Sequence, residues 1–338
     1  MRRKVTIVLV LMLLFVAGWV VEFAFDRTIQ LRRADGSIHV LLLGISGGIH
    51  EGAELTDTII FASINPAKNK VALISLPRDL WIPKLSEKIN AAYAIGNQTD
   101  KQGGMKLTKK IVTEVLNQPV GYVFVIDFDG FVKAVDLIGG LDIVVDATFD
   151  DYEYPIEKKQ DDLCGRTPEE ATKLIATQEA SLIFPCRYQH VRFENGFSHM
   201  DGEKALTFVR SRNAEGEEGT DFARSLRQQK VLKSFRDKLF SKTTLSRPLS
   251  ILSLSTVVLK SVRTDFAASE FGDLLKLAEK MKGAEMQSFV IDSGLLTNPP
   301  LSEFGGKWVL LPKVKDGTFK EVQDYVSCIV AFEKLCKI

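Results

Sequence analysis

"DTIIFASINPAKNKVALISLPRD", residues 57–79, holds two strongly apolar runs and ends in a proline followed by the pair Arg78–Asp79. Neither run, 57–64 or 70–76, alternates cleanly between apolar and polar residues. That pattern belongs to strands covered on both faces rather than strands with one wet face. Similar runs are "IHVLLLGI" (38–45), "YVFVID" (122–127), "LDIVVD" (141–146), "SFVID" (288–292) and "KWVLLP" (307–312). Helical patterns fall between and after them. "MKLTKKIVTEVLNQ" (105–118) places apolar residues at 107, 111, 112, 115 and 116, and "DFDGFVKAVDLIGG" (127–140) closes on a glycine pair, a helix stop. Further helices are expected in 201–212, 221–240 and 268–281. The plan is α/β: a central mixed sheet flanked by helices on both sides. Residues 150–195 form the least regular stretch and are expected to hold a helical excursion closed by Cys164 and Cys186. The last part, 291–338, is expected to pack on the same domain.

In front of the first strand stands "MRRK" and then a run of 17 uncharged residues, Val5 to Val21, with Glu22 behind it. About 17 apolar residues is the short end of what spans a bilayer. Basic residues precede the run, which leaves the N-terminus in the cytoplasm and sends the rest across. A cleaved signal peptide is the competing reading, but "VAG" (16–18) lies inside the run rather than after it. The expected order is a cytoplasmic tail (1–4), a membrane anchor (5–25), a polar linker (26–37) and one extracytoplasmic domain (38–338). Lys and Arg total 44 against 43 Asp and Glu, so the chain lacks the basic excess of a nucleic-acid binder.

Four cysteines, Cys164, Cys186, Cys328 and Cys336, show no metal-binding spacing. Outside the membrane disulfides are permitted. Three pairings are open, and we favour Cys164–Cys186 and Cys328–Cys336, with free buried thiols as the alternative. The second pair carries a condition. On an unbroken helix eight residues span about 12 Å, whereas a disulfide needs Cα atoms within about 7 Å. The helix in "DYVSCIVAFEKLC" must therefore turn back before Cys336.

The polar residues of interest sit at element ends. Asp57 opens a strand and Arg78 closes another, with Lys88 and Asn90 just after. Arg210 and Arg212 end a helical pattern; two residues apart, they face one site only if the helix stops there. Asp221, Arg224 and Gln228 share one helical face, with Arg227 beside them. Arginines at element ends suit an anion, because the guanidinium offers a planar fork of donors to phosphate. Asp57 could then hold Mg²⁺ through phosphate oxygens. Taken singly, each residue is as well read as a surface ion pair or a solvated charge.

Five segments, in order, carry more: "TDTIIFASINPAKNKVALISLPRDLWIP", "KINAAYAIG", "FVIDFDGFVKAVDLIGGLDIVV", "MDGEKALTFVRSR" and "DFARSLRQQKVL". Together they closely resemble the LytR-CpsA-Psr family of cell-wall glycopolymer transferases, over about residues 38–290. The resemblance implies transfer of a phospho-glycopolymer from a polyprenyl pyrophosphate carrier to peptidoglycan, outside the membrane, with Mg²⁺ and with pyrophosphate hydrolysis as a side activity. It implies a pyrophosphate clamp of Arg78, Arg210, Arg212, Arg224 and Gln228; Lys88, Asn90 and Arg227, close to these in sequence, are expected among the substrate-binding residues too. It further implies a metal ligand in Asp57 and an acid near the reacting centre in Asp221. A polyprenyl tail needs an apolar tunnel, which "FVKAVDLIGG" (131–140) and "QQKVLKSFRDKLF" (228–240) could line; ordinary core is the other reading.

One departure from the family matters. The loop after the first strand reads "LLLGISGGIHEG", with Ser46 where the family carries an aspartate on the metal side, and no arginine follows. Serine is uncharged and a weaker Mg²⁺ ligand. Two alternatives to the transferase therefore stay open: a lipid pyrophosphate-binding or regulatory protein without turnover, and a polyprenyl pyrophosphate hydrolase.

Overall fold

The computed structural model describes residues 29–100, 102–157, 159–175, 179–245, 261–314, 317–333 and 336. The expected membrane anchor lies outside these residues, and among them no helix is long and apolar enough to cross a membrane. The principal strands are β1 (Ile38–Ile45), β2 (Thr56–Asn65), β3 (Lys70–Ser75), β4 (Tyr122–Asp127), β5 (Leu141–Val145), β6 (Phe149–Pro155), β7 (Tyr188–Phe193), β8 (Gly196–Met200), β9 (Val262–Thr264) and β10 (Glu285–Val290). The principal helices are α1 (Gly103–Leu116), α2 (Phe128–Leu137), α3 (Gly202–Arg210), α4 (Asp221–Leu239), α5 (Phe271–Met281) and α6 (Lys320–Val330).

Six strands form the central sheet, in the order β9-β4-β1-β2-β3-β10. β1 runs antiparallel to β2 and parallel to β4, β2 runs antiparallel to β3, and β3 runs parallel to β10. The sheet is therefore mixed, and both faces are covered. Leu41, Leu43, Phe61, Ile74 and Val123 pack on one side against Ile111, Val112 and Val115 of α1 and Val322 and Val326 of α6. Ile38, Ile60, Ala62 and Leu73 pack on the other against Leu277 and Met281 of α5 and Leu232 of α4. Double coverage is why the strands read as unbroken apolar runs. The C-terminal segment joins the same core through α6.

β5 pairs with β8 in a separate two-stranded sheet instead of the central one. Its alternating burial, with Val144 exposed, marks one wet face. "KWVLLP" contributes only the two-residue strand Leu311–Pro312, paired with Leu296–Thr297. The rest of that run is anchored by the Trp81 N–H, which donates to the Leu310 carbonyl, and by the Leu310 N–H, which donates to that of Asp79. The helices are capped where polar residues predict it: Asp127 accepts from Gly130 N–H, Asp201 from Lys204 N–H, and Thr220 from Ala223 N–H. α2 and α3 lie so close that a Cβ on Gly202 would sit 2.4 Å from the Val132 carbonyl oxygen, so glycine is required there.

Both favoured disulfides form, each with a Cα separation of 5.7 Å. The condition on the second is met: α6 ends at Val330, and Phe332 turns the chain with φ 56°. The described part of the linker is not a free tether. Leu31 is buried, and Arg32 stacks over Tyr122 at 4.5 Å and pairs with Asp265 at 3.2 Å.

The 150–195 stretch is a β6–β7 hairpin carrying the helices Pro168–Ile175 and Ala180–Ile183 around a small core of Ala171, Ile183 and Phe184. Its bridge spans 22 residues, so removing it is expected to loosen the excursion by about 3 kcal/mol, through entropy returned to the open chain. Limited proteolysis of the Cys164→Ser/Cys186→Ser variant checks this, with new cuts confined to the excursion.

Candidate functional site

β1, β3, β4 and β10 all point the same way, so their carboxyl ends share one edge of the sheet with the start of β2. Ligands of α/β sheets bind at that edge. A β-bulge interrupts the β1–β2 ladder there: Gly44 pairs with Thr58 and Ile45 with Thr56, leaving Asp57 as the extra residue. Bulges of this kind re-aim a side chain, and Asp57 turns into a cleft of about 280 Å³. Arg78 reaches the same cleft from the end of β3. Arg210 reaches it from the last turn of α3 and Arg212 from the loop beyond; α3 stops at Arg210, as two inward arginines require. Arg224 and Gln228 arrive from the first turns of α4.

Charge balance in the cleft is uneven. Arg78 Nη1 donates to Asp57 Oδ1 at 2.5 Å, and its Nε lies 3.5 Å from Asp79 Oδ2. Lys88 Nζ holds the other Asp79 oxygen at 2.6 Å. Arg224 Nη2 lies 3.0 Å from Asp221 Oδ1, and Arg212 approaches the same oxygen at 4.0 Å. Arg210 meets no carboxylate among these; it stacks over Phe128 at 4.5 Å and Tyr154 at 5.5 Å. Four guanidinium groups thus line one cleft. The Nε atoms of Arg78 and Arg224 are buried without a hydrogen-bond partner. Burial opposes the Arg78 charge, but Asp57 and Asp79 more than offset it and raise its pKa. For Arg224 burial wins. Asp221 opposes it, Arg78 and Arg212 add to it, and the pKa falls to about 10.

An anion seated here would favour the charged form of Arg224, so affinity for it should weaken as pH rises through about 10 and the guanidinium loses its proton. A pyrophosphate esterified at both ends has no ionisation of its own above neutrality, so the affinity for such a diester is expected to be flat from neutral pH up to that point. Calorimetric titration from neutral to alkaline pH checks this; a fall centred near neutrality would contradict it.

Not every predicted site residue lines the cleft. Asp221 stands behind Arg224 and orients it. Asn90 is buried, its N–H donating to the Arg78 carbonyl and its own carbonyl accepting from Thr56, so it braces the turn that presents Arg78. Lys88 acts on the cleft only through Asp79. Arg227 does not line the cleft and is braced as a strut: Nε donates to the Phe208 carbonyl, Nη2 to that of Ser211, and Nη1 to Glu218. Its ring partners are Phe149 and Phe208. Ser46 is not among the lining residues; its hydroxyl donates to the Ala53 carbonyl and lies 3.3 Å from His50 Nε2.

Sequence reasoning missed Asp151. This buried carboxylate accepts from Ser211 Oγ at 2.6 Å, from the N–H groups of Arg212 and Asn213, and from Glu153 N–H. Together with Arg227 it pins the turn that aims Arg210 and Arg212. Glu153, Pro155 and Tyr188 of the hairpin complete the cleft wall.

Beside the cleft lies a second, apolar pocket of about 110 Å³, walled by Leu42, Ile60, Ile126, Phe131, Leu206, Val231 and Leu232. The two share Thr58, Phe128, Val209 and Gln228. Phe131 and the pair Val231 and Leu232 come from the two stretches expected to line an apolar tunnel.

The sequence pattern of the LytR_cpsA_psr family matches residues 21–298. The chain belongs to that family. Among curated relatives, the teichoic acid transferase TagU of Bacillus cereus is 28% identical over 243 residues, 71% of this chain and 64% of the relative. TagV of Bacillus subtilis is 25% identical over 215 residues, 62% of this chain and 45% of the relative. The chain thus matches less than two thirds of the length of these relatives. Protein gbs0355 of Streptococcus agalactiae shares the family fold with a TM-score of 0.60 at 21% identity, covering 89% of this chain and 90% of that one. The family protein YwtF (TagT), solved with bound octaprenyl pyrophosphate lipid, superposes with a TM-score of 0.54 at 20% identity, covering 91% of this chain and 95% of that one.

For a divalent cation, the donor set of this family member is sparse. Among the described residues, the only three His, Cys, Asp or Glu groups close enough to share an ion are Asp162, Cys164 and Cys186, and the disulfide removes both thiolates. At the cleft, two carboxylates line the wall, Asp57 and Glu153. One carboxylate suffices for Mg²⁺ when phosphate oxygens and water complete the shell, so Asp57 fits a substrate-borne ion and not a preformed cage.

Proposed function

We propose that this chain is a membrane-anchored phosphotransferase that moves a glycopolymer from a polyprenyl pyrophosphate carrier onto peptidoglycan, outside the membrane. The observation that carries the reading is the adjacent pair of cavities: a four-arginine cleft and an apolar pocket that share four lining residues. That pairing suits a ligand with a dianionic head and a hydrocarbon tail. Residues 5–25 would anchor the chain, with 1–4 in the cytoplasm.

Arg78, Arg210, Arg212 and Arg224 hold the pyrophosphate, and Gln228 sits where head and tail meet. A sugar hydroxyl of the acceptor attacks the phosphorus that carries the glycan. The new bond is oxygen to phosphorus; the bond that breaks joins that phosphorus to the bridging oxygen, and polyprenyl phosphate leaves. The arginines stabilise charge that grows on the phosphoryl and leaving oxygens. The hydroxyl proton passes to a carboxylate of the cleft wall, Asp57 or Glu153, with Asp221 the positioning residue behind Arg224. Mg²⁺ held by Asp57 and phosphate oxygens would neutralise further charge.

Ser46 favours a second reading, a lipid pyrophosphate-binding protein without turnover, because it removes a carboxylate from the metal side. One assay separates the readings. The full chain receives a polyprenyl-pyrophosphate-linked glycan and peptidoglycan fragments, with and without Mg²⁺, beside Ser46→Asp. Glycan joined to peptidoglycan by the wild type establishes the transferase. Cleavage to polyprenyl phosphate and glycan phosphate without joining makes it a hydrolase. Tight lipid binding with turnover only in Ser46→Asp makes it a binding protein.

A further inference from the structure

The β6–β7 hairpin presents one face that the pyrophosphate chemistry does not use. Alternation along β7 puts Tyr188, His190 and Arg192 on the same side. The antiparallel register adds Pro155 opposite Tyr188 and Asp150 opposite Arg192. The irregularity between Asp151 and Tyr154 brings Tyr152 onto this side, where its ring stacks on His190 at 4.3 Å and 10°. Tyr188 and Pro155 line the cleft. The face is therefore a continuous strip that starts at the cleft lip and runs about 13 Å along the strand to Arg192.

We propose that this strip is a subsite for the saccharide backbone of the acceptor, a proposal that rests on the transferase reading. A sugar ring offers an apolar C–H face and a rim of hydroxyls. Its complement is an exposed aromatic face with planar hydrogen-bonding groups at the edge, since tyrosine combines an apolar body with a polar tip. Tyr152 is 60% exposed although one side is covered by His190, so its other face is open. His190 Nε2 donates to Asp150 Oδ1 at 2.7 Å, and Arg192 Nη1 to Asp150 Oδ2 at 2.7 Å. The hydrogen bonds from His190 and Arg192 lower the Asp150 pKa, so its carboxylate stays available to hydroxyls.

The same groups argue for the acceptor over the donor chain. Asp150 and Glu194, which sits 3.5 Å from Arg192, would repel a polyanionic glycopolymer. A neutral to weakly charged glycan meets no such penalty. The Cys164–Cys186 bridge, and Arg187 Nε donating to the Asp162 carbonyl at 2.7 Å, fix the excursion next to Tyr188.

Titration of the full chain in detergent with a peptidoglycan tetrasaccharide of alternating N-acetylglucosamine and N-acetylmuramic acid tests the proposal. Tyr152→Ala is expected to weaken binding about ten-fold, the value of one well-placed aromatic contact, while Tyr152→Phe keeps it. Affinity for polyprenyl pyrophosphate should be the same in all three proteins. Tetrasaccharide binding that is absent in the wild type, or untouched by Tyr152→Ala, overturns the proposal. So does a Tyr152→Ala defect that appears only with a soluble fragment of the anionic donor polymer. A wild type that binds the tetrasaccharide but not the lipid pyrophosphate would instead defeat the transferase reading, so the two failures are distinguishable.

Discussion

Arg78→Ala is expected to lower the transfer rate by two to three orders of magnitude, with little change in thermal stability. The rate effect follows from the role: one preorganised donor aimed at developing oxyanion charge contributes about 10²–10³ in rate. Arg224, Arg210 and Arg212 remain in the variant, which limits the loss. The stability effect is small because the ion pair with Asp57 borders an open cleft, and such partly wet pairs contribute about 0–1 kcal/mol. Arg78→Lys separates charge from geometry. It keeps the cation but loses the fork that engages two oxygens at once, so it should fall between wild type and alanine. Steady-state transfer and melting curves measure both. Unchanged turnover in Arg78→Ala would falsify the clamp.

The largest loss of stability is expected from Asp151→Ala, about 3–5 kcal/mol. The carboxylate is fully buried and satisfies one hydroxyl and three backbone N–H groups. Each donor left unpaired in the interior costs about 1–3 kcal/mol, partly relieved where water enters beside the cleft. Arg227 loses a nearby countercharge as well; burial already lowers its pKa, with Glu218 opposing. The melting temperature should fall by roughly 6–12 °C. Asp151→Asn, which keeps the shape and one good acceptor, should cost much less. In any Asp151→Ala protein that still folds, the turn that aims Arg210 and Arg212 is loosened. Pyrophosphate affinity should then drop although no clamp residue has changed. A variant that melts like the wild type would contradict this account of the turn.

How legible these residues were in the sequence follows their distance along the chain. β1, β2, β3 and β4 are announced by apolar runs because burial on both faces leaves no polar alternation to confuse the period. α2 is announced by the glycine pair that stops it, and α3 and α4 by their helical patterns. β6 and β7 were not, because "FDDYEYP" and "YQHVRF" are half-exposed, bulged and crowded with charge. β9 is three residues long and gives no period at all. Arg78, Arg210, Arg212 and Arg224 could be placed because each ends or begins an element. Arg227 was harder to place: one position from Gln228, inside α4, it lies on a neighbouring face of the helix. Only the contact with carbonyls 16 and 19 residues earlier shows it to be a strut. Asp151 left no signal, since three of its four partners lie 60 or more residues away. The bulge that frees Asp57 depends on register, which periodicity does not encode.

The direction of β1 has a consequence for the carrier. Leu31 and Arg32 are clasped to the rim where that strand begins, and the arginines sit at the rim where it ends. Mooring and chemistry are separated by eight residues, about 26 Å. For a chain tethered through its N-terminal segment and standing with β1 along the bilayer normal, this offset sets the height of the cleft over the bilayer. A carrier whose head group reaches the cleft while its tail keeps hold of the bilayer must bridge the same offset. Short prenols would have to leave the lipid phase entirely, and long ones would not. The fold would then sort carriers by length, a property that none of the cleft side chains reads.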